Sequence, residues 1–317
     1  MSRASAGPAR VIPRVVAIQG PTTSGKTRLA VALAHELEGE LVNADSRQAI
    51  AELSIGVCKP TPAELQGVVC HGLDWSHLGH QFSAAQYLSL ATGAIKEISA
   101  RGHPAIVVGG TGLYVRALLG GYDFGRTTPE EARMRRPIPA DNQPQLVAVA
   151  TQDLARLDPE RAQQVDLGNP RRVIRAAELA RAGTRAYQSP PSWSIRKLGC
   201  HVSAKELRER IQVRSDRLLG QPLREEVESL VSKGFSAELL ARSAIGYSEV
   251  VDWALGHCPR QEALERVVAR TWRYAKAQMT WLRSEPDLVW VDANASLDEM
   301  VSQGLAVLLT GPGARFR

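Results

Sequence analysis

No run of about eighteen apolar residues occurs in this chain, so no membrane-spanning helix is expected. Cysteine is scarce. Cys58, Cys70, Cys200 and Cys258 stand far apart with no CxxC pair, which argues against a zinc site or a disulfide framework and suits a reducing cytosol. Residues 1–10 lack the apolar core of a secretory signal and read as a short disordered lead. His71, His77 and His80 have spacings of six and three, which match no metal-ligand set, so they are read as loop residues. The exclusions leave a cytoplasmic chain, taken as a monomer, with no membrane partner. Its 317 residues suit a main domain plus a smaller one or an insertion, and 44% hydrophobic content is enough for a full core.

What is present centres on Gly20-Pro21-Thr22-Thr23-Ser24-Gly25-Lys26-Thr27, which fits G-x-x-x-x-G-K-[ST]. The β-branched run Val15-Val16-Ala17-Ile18 precedes it, and the helix-forming run Leu29-Ala30-Val31-Ala32-Leu33-Ala34 follows. Strand, glycine turn and helix are the context a P-loop requires. In it, backbone N–H groups and a helix N-terminus converge on one anion. Lys26 adds a point charge, and the Thr27 hydroxyl can hold Mg²⁺. A nucleoside triphosphate is the default ligand of such a loop.

A second apolar stretch, Leu41-Val42-Asn43-Ala44, delivers Asp45-Ser46-Arg47-Gln48 at a strand's C-terminal end, where ligands of parallel sheets sit. Asp45 reads there as an acid/base group, a metal group or a helix N-cap. Ser83 and Gln86 form a capping box for a helix to about residue 100. The buried-strand run Ala105-Ile106-Val107-Val108 ends in Gly109-Gly110-Thr111-Gly112, where a P-loop ATPase would carry a magnesium-binding acid. That missing acid counts against ATP hydrolysis.

Charge is uneven. Residues 171–217 hold twelve basic and four acidic residues, residues 260–283 six and two, and residues 1–120 ten and eight, within a net charge of +6. This suits a phosphate-rich polymer as partner, or solvated helix faces. Glycines and prolines between 120 and 145 read as a hinge out of the first sheet. Short helices follow to about 185, one opened by Asn169-Pro170, with Arg171 and Arg175 on one face. Residues 195–202 read as a strand returning to the sheet. Ser203 and Glu206 form a second capping box, and the helix behind them carries a stripe of Arg210, Arg214 and Arg217. That stripe is either a phosphate clamp or a solvated face. Arg242 and Tyr247 share a turn. The helix opened by Pro259 interleaves Arg266, Arg270, Arg273 and Lys276 with Trp272, Tyr274 and Trp281, as an RNA-binding surface or as core.

In order, these motifs resemble the tRNA dimethylallyltransferase (isopentenyltransferase) family over almost the whole chain. The series is the P-loop, Asp45-Ser46-x-Gln48, Gly56-x-x-Lys59-Pro60, Gly109-Gly110-Thr111-Gly112-Leu113-Tyr114, and Asn169-Pro170-x-Arg172-x-x-Arg175-Ala176. Then come Leu207-x-x-Arg210-Ile211-x-x-Arg214, Gly246-Tyr247 and Lys276-x-Gln278-x-Thr280-Trp281-Leu282-Arg283. The resemblance implies an α/β fold with a P-loop NTPase-like parallel sheet, whose first part is residues 1–120. A helical insertion at 121–190 would bind the tRNA anticodon stem-loop, and 191–317 would complete the core. It implies transfer of the dimethylallyl group of dimethylallyl diphosphate to N6 of adenine 37 in tRNA. The implied diphosphate site is the P-loop, Gly20 to Thr27, with Arg210 and Arg214, and Thr27 would bind Mg²⁺. Asp45 would be the general base, with Thr111 beside it. Implied tRNA contacts are Asp45, Ser46, Arg47, Gln48, Arg171, Arg172, Arg175, Arg242, Gly246, Tyr247, Lys276, Gln278, Trp281 and Arg283. The sequence departs from the family pattern in three places: Ala49-Ile50, Gly72 within Cys70-His71-Gly72-Leu73-Asp74, and Ser248. A P-loop small-molecule kinase, an adenylate isopentenyltransferase and a non-catalytic RNA-binding protein are the alternatives.

Overall fold

The computed structural model describes residues 14–123, 144–183, 187–188, 191 and 193–310. The expected N-terminal lead and most of the Gly/Pro-rich hinge lie outside the described residues. The strands are β1 (Arg14–Gln19), β2 (Glu40–Asn43), β3 (Cys70–His71), β4 (Ala105–Gly109), β5 (Tyr122–Asp123), β6 (Tyr187–Gln188), β7 (Ser194–His201) and β8 (Leu288–Asp292). Six of them form one sheet in the order β3-β2-β4-β1-β7-β8, and every pairing in it is parallel.

The helices are α1 (Lys26–Leu37), α2 (Pro62–Leu65), α3 (Ala84–Ala100), α4 (Gly112–Gly120), α5 (Pro144–Leu157), α6 (Pro159–Gln164), α7 (Pro170–Arg181) and α8 (Ala204–Leu218). They continue with α9 (Gln221–Ser232), α10 (Ala237–Ser243), α11 (Tyr247–Ala254), α12 (Arg260–Arg283) and α13 (Leu297–Thr310).

The period of two in a strand explains the layering. Val16 and Ile18 of β1 enter a core with Leu29, Leu33, Leu207 and Met300, under α1, α8 and α13. Their neighbours Val15 and Ala17 point the other way, into a core with Tyr87, Ile95, Val115 and Leu118 of α3 and α4. A sheet covered on both faces needs apolar residues at every position of its central strands, and β1 and β4 read that way. A third core joins α9, α10, α11 and the start of α12 through Leu223, Val227, Leu240, Val250 and Val267.

The described residues up to Leu119 and from 193 onward form one compact unit, and those from Gly120 to Pro191 form another. In the second, α5 and α7 pack through Leu154, Val173 and Ala177, and β5 pairs antiparallel with β6. Asn169 caps α7 by accepting the Arg172 N–H at 3.3 Å, with Pro170 in the first turn. The capping box at Ser83 closes on both sides. That at Ser203 closes on one: Ser203 accepts the Glu206 N–H, but the Glu206 carboxylate turns to Arg210 at 2.9 Å. A cation one turn ahead outcompetes a neutral N–H for the carboxylate.

Candidate functional site

Two cavities flank the C-terminal ends of β1, β2 and β4. The first, about 1260 Å³, lies over the P-loop and is bordered by Lys26, Thr27, Arg210, Arg214 and Arg217. The second, about 630 Å³, is bordered by Asp45, Thr111, Arg242, Arg270, Tyr274 and Trp281. Arg214 and Leu218 of α8 border both.

The P-loop takes its shape from left-handed backbone at Thr23 (φ 65°) and Gly25 (φ 84°), which turns the chain sharply into α1. A Cβ on Gly20 would lie 2.5 Å from Ser24 Oγ, so only glycine lets the loop fold onto itself. The Thr23 and Ser24 hydroxyls are buried without a hydrogen-bond partner among the described residues. Buried hydroxyls cost free energy unless bonded, so both are donors held ready for an acceptor. Burial pushes the Lys26 ammonium below its ordinary value near 10.5. The Asp45 charge pulls it back up, and Arg214 pushes it further down. A bound anion would reverse that depression. Arg214 reaches Thr22 Oγ1 at 3.1 Å. Arg210 donates to Glu206 and to the Ala293 carbonyl at 2.9 Å. The stripe of arginines thus faces the P-loop cavity.

Asp45 is fixed from beneath by Asn43, which is 3% exposed at the end of β2. Asn43 Oδ1 accepts the Asp45 N–H at 3.1 Å, and Nδ2 donates to the carbonyls of Asp45 and Gly72. Asp45 Oδ1 accepts the Arg47 N–H at 2.9 Å, which orients the carboxylate. This is a local turn bond of the kind an Asp favours, and it leaves Oδ2 without a hydrogen bond among the described residues. Thr111 Oγ1 accepts the Ser46 N–H at 2.9 Å, and the Thr111 N–H donates to the Ala44 carbonyl. Asp45 and Thr111 are therefore held edge to edge by the backbone on either side of them. Gly109 makes this possible, since a Cβ there would sit 2.2 Å from the Ala44 carbonyl carbon.

Several residues that the resemblance places on RNA are hydrogen-bonded or packed within the protein. Tyr247 is 0% exposed, and its hydroxyl donates to Glu226 at 2.6 Å. Gly246 is also buried, at φ 104°. Gln48 spends its amide on the carbonyls of Val57 and Cys58. Gln278 is 7% exposed and bonded on both sides within the protein. Tyr247 and Gln278 follow the rule that a buried polar group has its hydrogen bonds satisfied internally, and half-buried Gln48 is bonded the same way. Lys59 likewise ion-pairs with Asp74 and donates to the Ile50 carbonyl. Trp281 is half-buried beneath Gly112, with Arg116 5.2 Å from its ring. Arg47, Arg242, Lys276 and Arg283 are exposed, although Arg242 pairs with Glu238 at 2.7 Å. Arg171 and Arg172 are exposed in the helical unit, and Arg175 pairs with Glu178.

Some participants carry no motif. Glu226 accepts the N–H groups of Ser54, Ile55 and Gly56 and holds the loop that borders both cavities. Glu249 is fully buried and receives Arg270 at 2.6 Å. Asn43 had one available signal, a polar residue closing an apolar strand. Two of the departures sit in surroundings the structure shows. Gly72, at φ 91°, backs onto Asn43. Ala49 is buried and bonds Ser76 through its carbonyl. Nothing in the structure explains Ser248.

The family model for IPP transferases matches residues 48–285. The chain is 40% identical over 297 residues to the tRNA dimethylallyltransferase 1 of Pelobacter propionicus, covering 90% of this chain and 94% of that protein. A solved structure of the tRNA isopentenylpyrophosphate transferase of Bacillus halodurans superposes with a TM-score of 0.65 at 31% identity, covering 92% and 93% of the two chains. A eukaryotic dimethylallyltransferase acting on tRNA superposes at 0.75 with 23% identity, covering 93% and 78%, and supports the fold.

Proposed function

The chain belongs to the IPP transferase family, and from that premise we propose that it transfers a dimethylallyl group from dimethylallyl diphosphate to N6 of adenine 37, beside the anticodon of tRNA. The observation that carries the reading is the pair of cavities sharing Arg214 and Leu218, one built for an anion and the other ending at Asp45. The donor's diphosphate rests on the P-loop, against Lys26, Ser24, Arg210 and Arg214. Its allylic C1 faces the second cavity. The target adenine leaves the anticodon stack and enters that cavity. Unstacking costs a few kcal/mol and is least in a loop.

The N6 lone pair forms the new bond to C1 as the C1–O bond breaks, and that bond's electron pair leaves on diphosphate. An exocyclic amine with a delocalised lone pair is a weak nucleophile. Asp45 takes the departing N6 proton, and Thr111 borders the same pocket. Lys26, the P-loop N–H groups and the arginines neutralise charge on the leaving group. No water has to be activated, so the site works without an acid at the end of β4.

Mg²⁺ fits the donors present. Thr27 and Asp45 face one small cavity of about 20 Å³, and hard oxygen ligands suit this ion. No cluster of three acidic, histidine or cysteine side chains exists among the described residues, so Thr27 and the diphosphate oxygens would hold the ion, with water. Bound there, it would supply further neutralisation of the leaving diphosphate. Arg171, Arg172 and Arg175 of the helical unit, with the exposed cations of α12, serve the anticodon stem-loop. The enzyme works as a cytoplasmic monomer.

Mass spectrometry of nucleosides from tRNA incubated with the protein, Mg²⁺ and dimethylallyl diphosphate tests the reading. The expected product is adenosine heavier by one dimethylallyl group. Absence of that product sinks the proposal. Preferential prenylation of free adenosine monophosphate would favour an adenylate isopentenyltransferase, and phosphoryl transfer from ATP a kinase.

A further inference from the structure

Gln278, in α12, stands between the P-loop and the turn after β4. Its Oε1 accepts the Thr22 N–H at 2.8 Å, and its Nε2 donates to the Gly110 carbonyl at 2.9 Å. Thr22 is the P-loop residue whose hydroxyl receives Arg214. Gly110 precedes Thr111, which is bonded to Ser46 and Ala44 on either side of Asp45. A Cβ on Gly110 would come within 2.4 Å of Gln278 Nε2 and 3.9 Å of Asp45 Oδ2. Amide, glycine and carboxylate thus share one small volume. The chain of contacts from Arg214 through Thr22, Gln278, Gly110 and Thr111 to Ser46 has a single side chain at its centre.

We propose that Gln278 is a positioning residue for prenyl transfer, whose one amide sets the separation between the diphosphate cradle and the Asp45–Thr111 edge of the acceptor pocket. The proposal rests on the prenyl-transfer reading. Its chemical basis is the inventory of the side chain. A primary amide offers an acceptor and a donor on one rigid plane, and both are needed here. Ionised glutamate keeps the shape but has no donor for the Gly110 carbonyl, which the Tyr274 hydroxyl reaches only at 3.5 Å. Methionine keeps the length but has neither group. Reacting groups misplaced by about 1 Å lose about 100-fold in rate, so a shift of one rim against the other falls on the chemical step. A tRNA contact, the role its sequence context implies, would instead act on tRNA affinity.

The test uses the full chain with Gln278→Glu and Gln278→Met, measured by steady-state and single-turnover prenylation, tRNA filter binding and thermal melting. The single-turnover rate and kcat are expected to fall about 100-fold in both variants. The KM for each substrate and the tRNA Kd should stay within about threefold of wild type, well short of the loss that a deleted direct contact brings. In an Asp45→Ala background, Gln278→Glu should add little further loss, since the step it serves is already impaired. A raised tRNA Kd with kcat unchanged would make Gln278 a tRNA contact and overturn the proposal. So would a loss of cooperative melting in both variants, which would assign it to folding, or a full multiplicative loss in the double variant. An inactive wild-type chain overturns both readings. An active one with unchanged variants overturns this one alone.

Discussion

Asp45 and Lys26 face the same small cavity from opposite half-sites, and each carries a separable prediction. Asp45→Ala removes the proton acceptor and should lower kcat by about 10²–10⁴-fold, with tRNA affinity held within a small factor. Steady-state prenylation beside filter binding checks this, and unchanged turnover would remove Asp45 from the role of base. Lys26 is held below its ordinary value near 10.5 by burial, so the empty site binds fewer protons than a diphosphate-bound one in the range between the lowered value and 10.5. Diphosphate binding in that range should take up a proton. Calorimetry in buffers of different ionisation enthalpy reads the uptake, and Lys26→Met should abolish it. Arg214→Ala leaves Thr22 without its cation and should raise the KM for the donor far more than it lowers kcat. The P-loop and Asp45 were readable as residues because their chemistry depends on local backbone: a glycine turn into a helix, a polar group at a strand end. Tyr247 and Gln278, expected at the RNA, are hydrogen-bonded within the protein. A tyrosine after a glycine turn, or a glutamine in a basic helix, looks the same in sequence whether its polar end meets RNA, the Glu226 carboxylate or the Gly110 carbonyl, and only the packing decides.

At the scale of elements, the loop 54–60 is held by contacts far away in sequence. A Cβ on Gly56 would lie 2.3 Å from the Tyr247 ring, so Gly56→Ala forces loop and ring apart. Overpacking of this kind costs about 1–3 kcal/mol. Chemical denaturation should show that loss in the wild-type background and a smaller one beside Tyr247→Leu, where the ring is gone; equal losses in both would contradict the contact. At the other end of β2, Glu40 bridges β3 and the end of α3 through His71 and Arg101 at 2.7 and 2.8 Å. Burial alone would raise its carboxyl pKa, but hydrogen bonds from Arg101 and His71 outweigh it and leave the group below the usual 4.5. The unfolded chain therefore binds more protons than the folded one in that window. The stability contributed by Glu40 is present above about pH 4.5 and is lost as pH falls through the lowered value. Glu40→Gln should flatten the fall in melting temperature between about pH 6 and pH 3.

The molecule as a whole separates its tasks by charge. The helical unit presents exposed Arg171 and Arg172, and α12 presents exposed Lys276 and Arg283. Polyelectrolyte binding responds to salt through the number of phosphates neutralised. The double change Arg171→Ala/Arg172→Ala should weaken tRNA binding and shrink its log–log salt slope by roughly 1–2. The KM for dimethylallyl diphosphate should not move. Titrations of tRNA binding at several salt concentrations decide it, and an unchanged slope would take these arginines off the RNA.

Sequence alone determined the parallel α/β class, the P-loop, the Asp45 strand end and the order of motifs over most of the chain. Each of these is written in local periodicity or in a few adjacent residues. The tertiary structure decided which polar residues face a cavity and which are satisfied inside. It also decided that Arg214 and Leu218 border both cavities, and that Asn43, Glu226 and Gln278 hold the site. Asn43 and Glu226 belong to no spacing pattern, and the motif around Gln278 does not name its partners, because these three act on groups 2 to 256 positions away that, for the most part, only folding brings together.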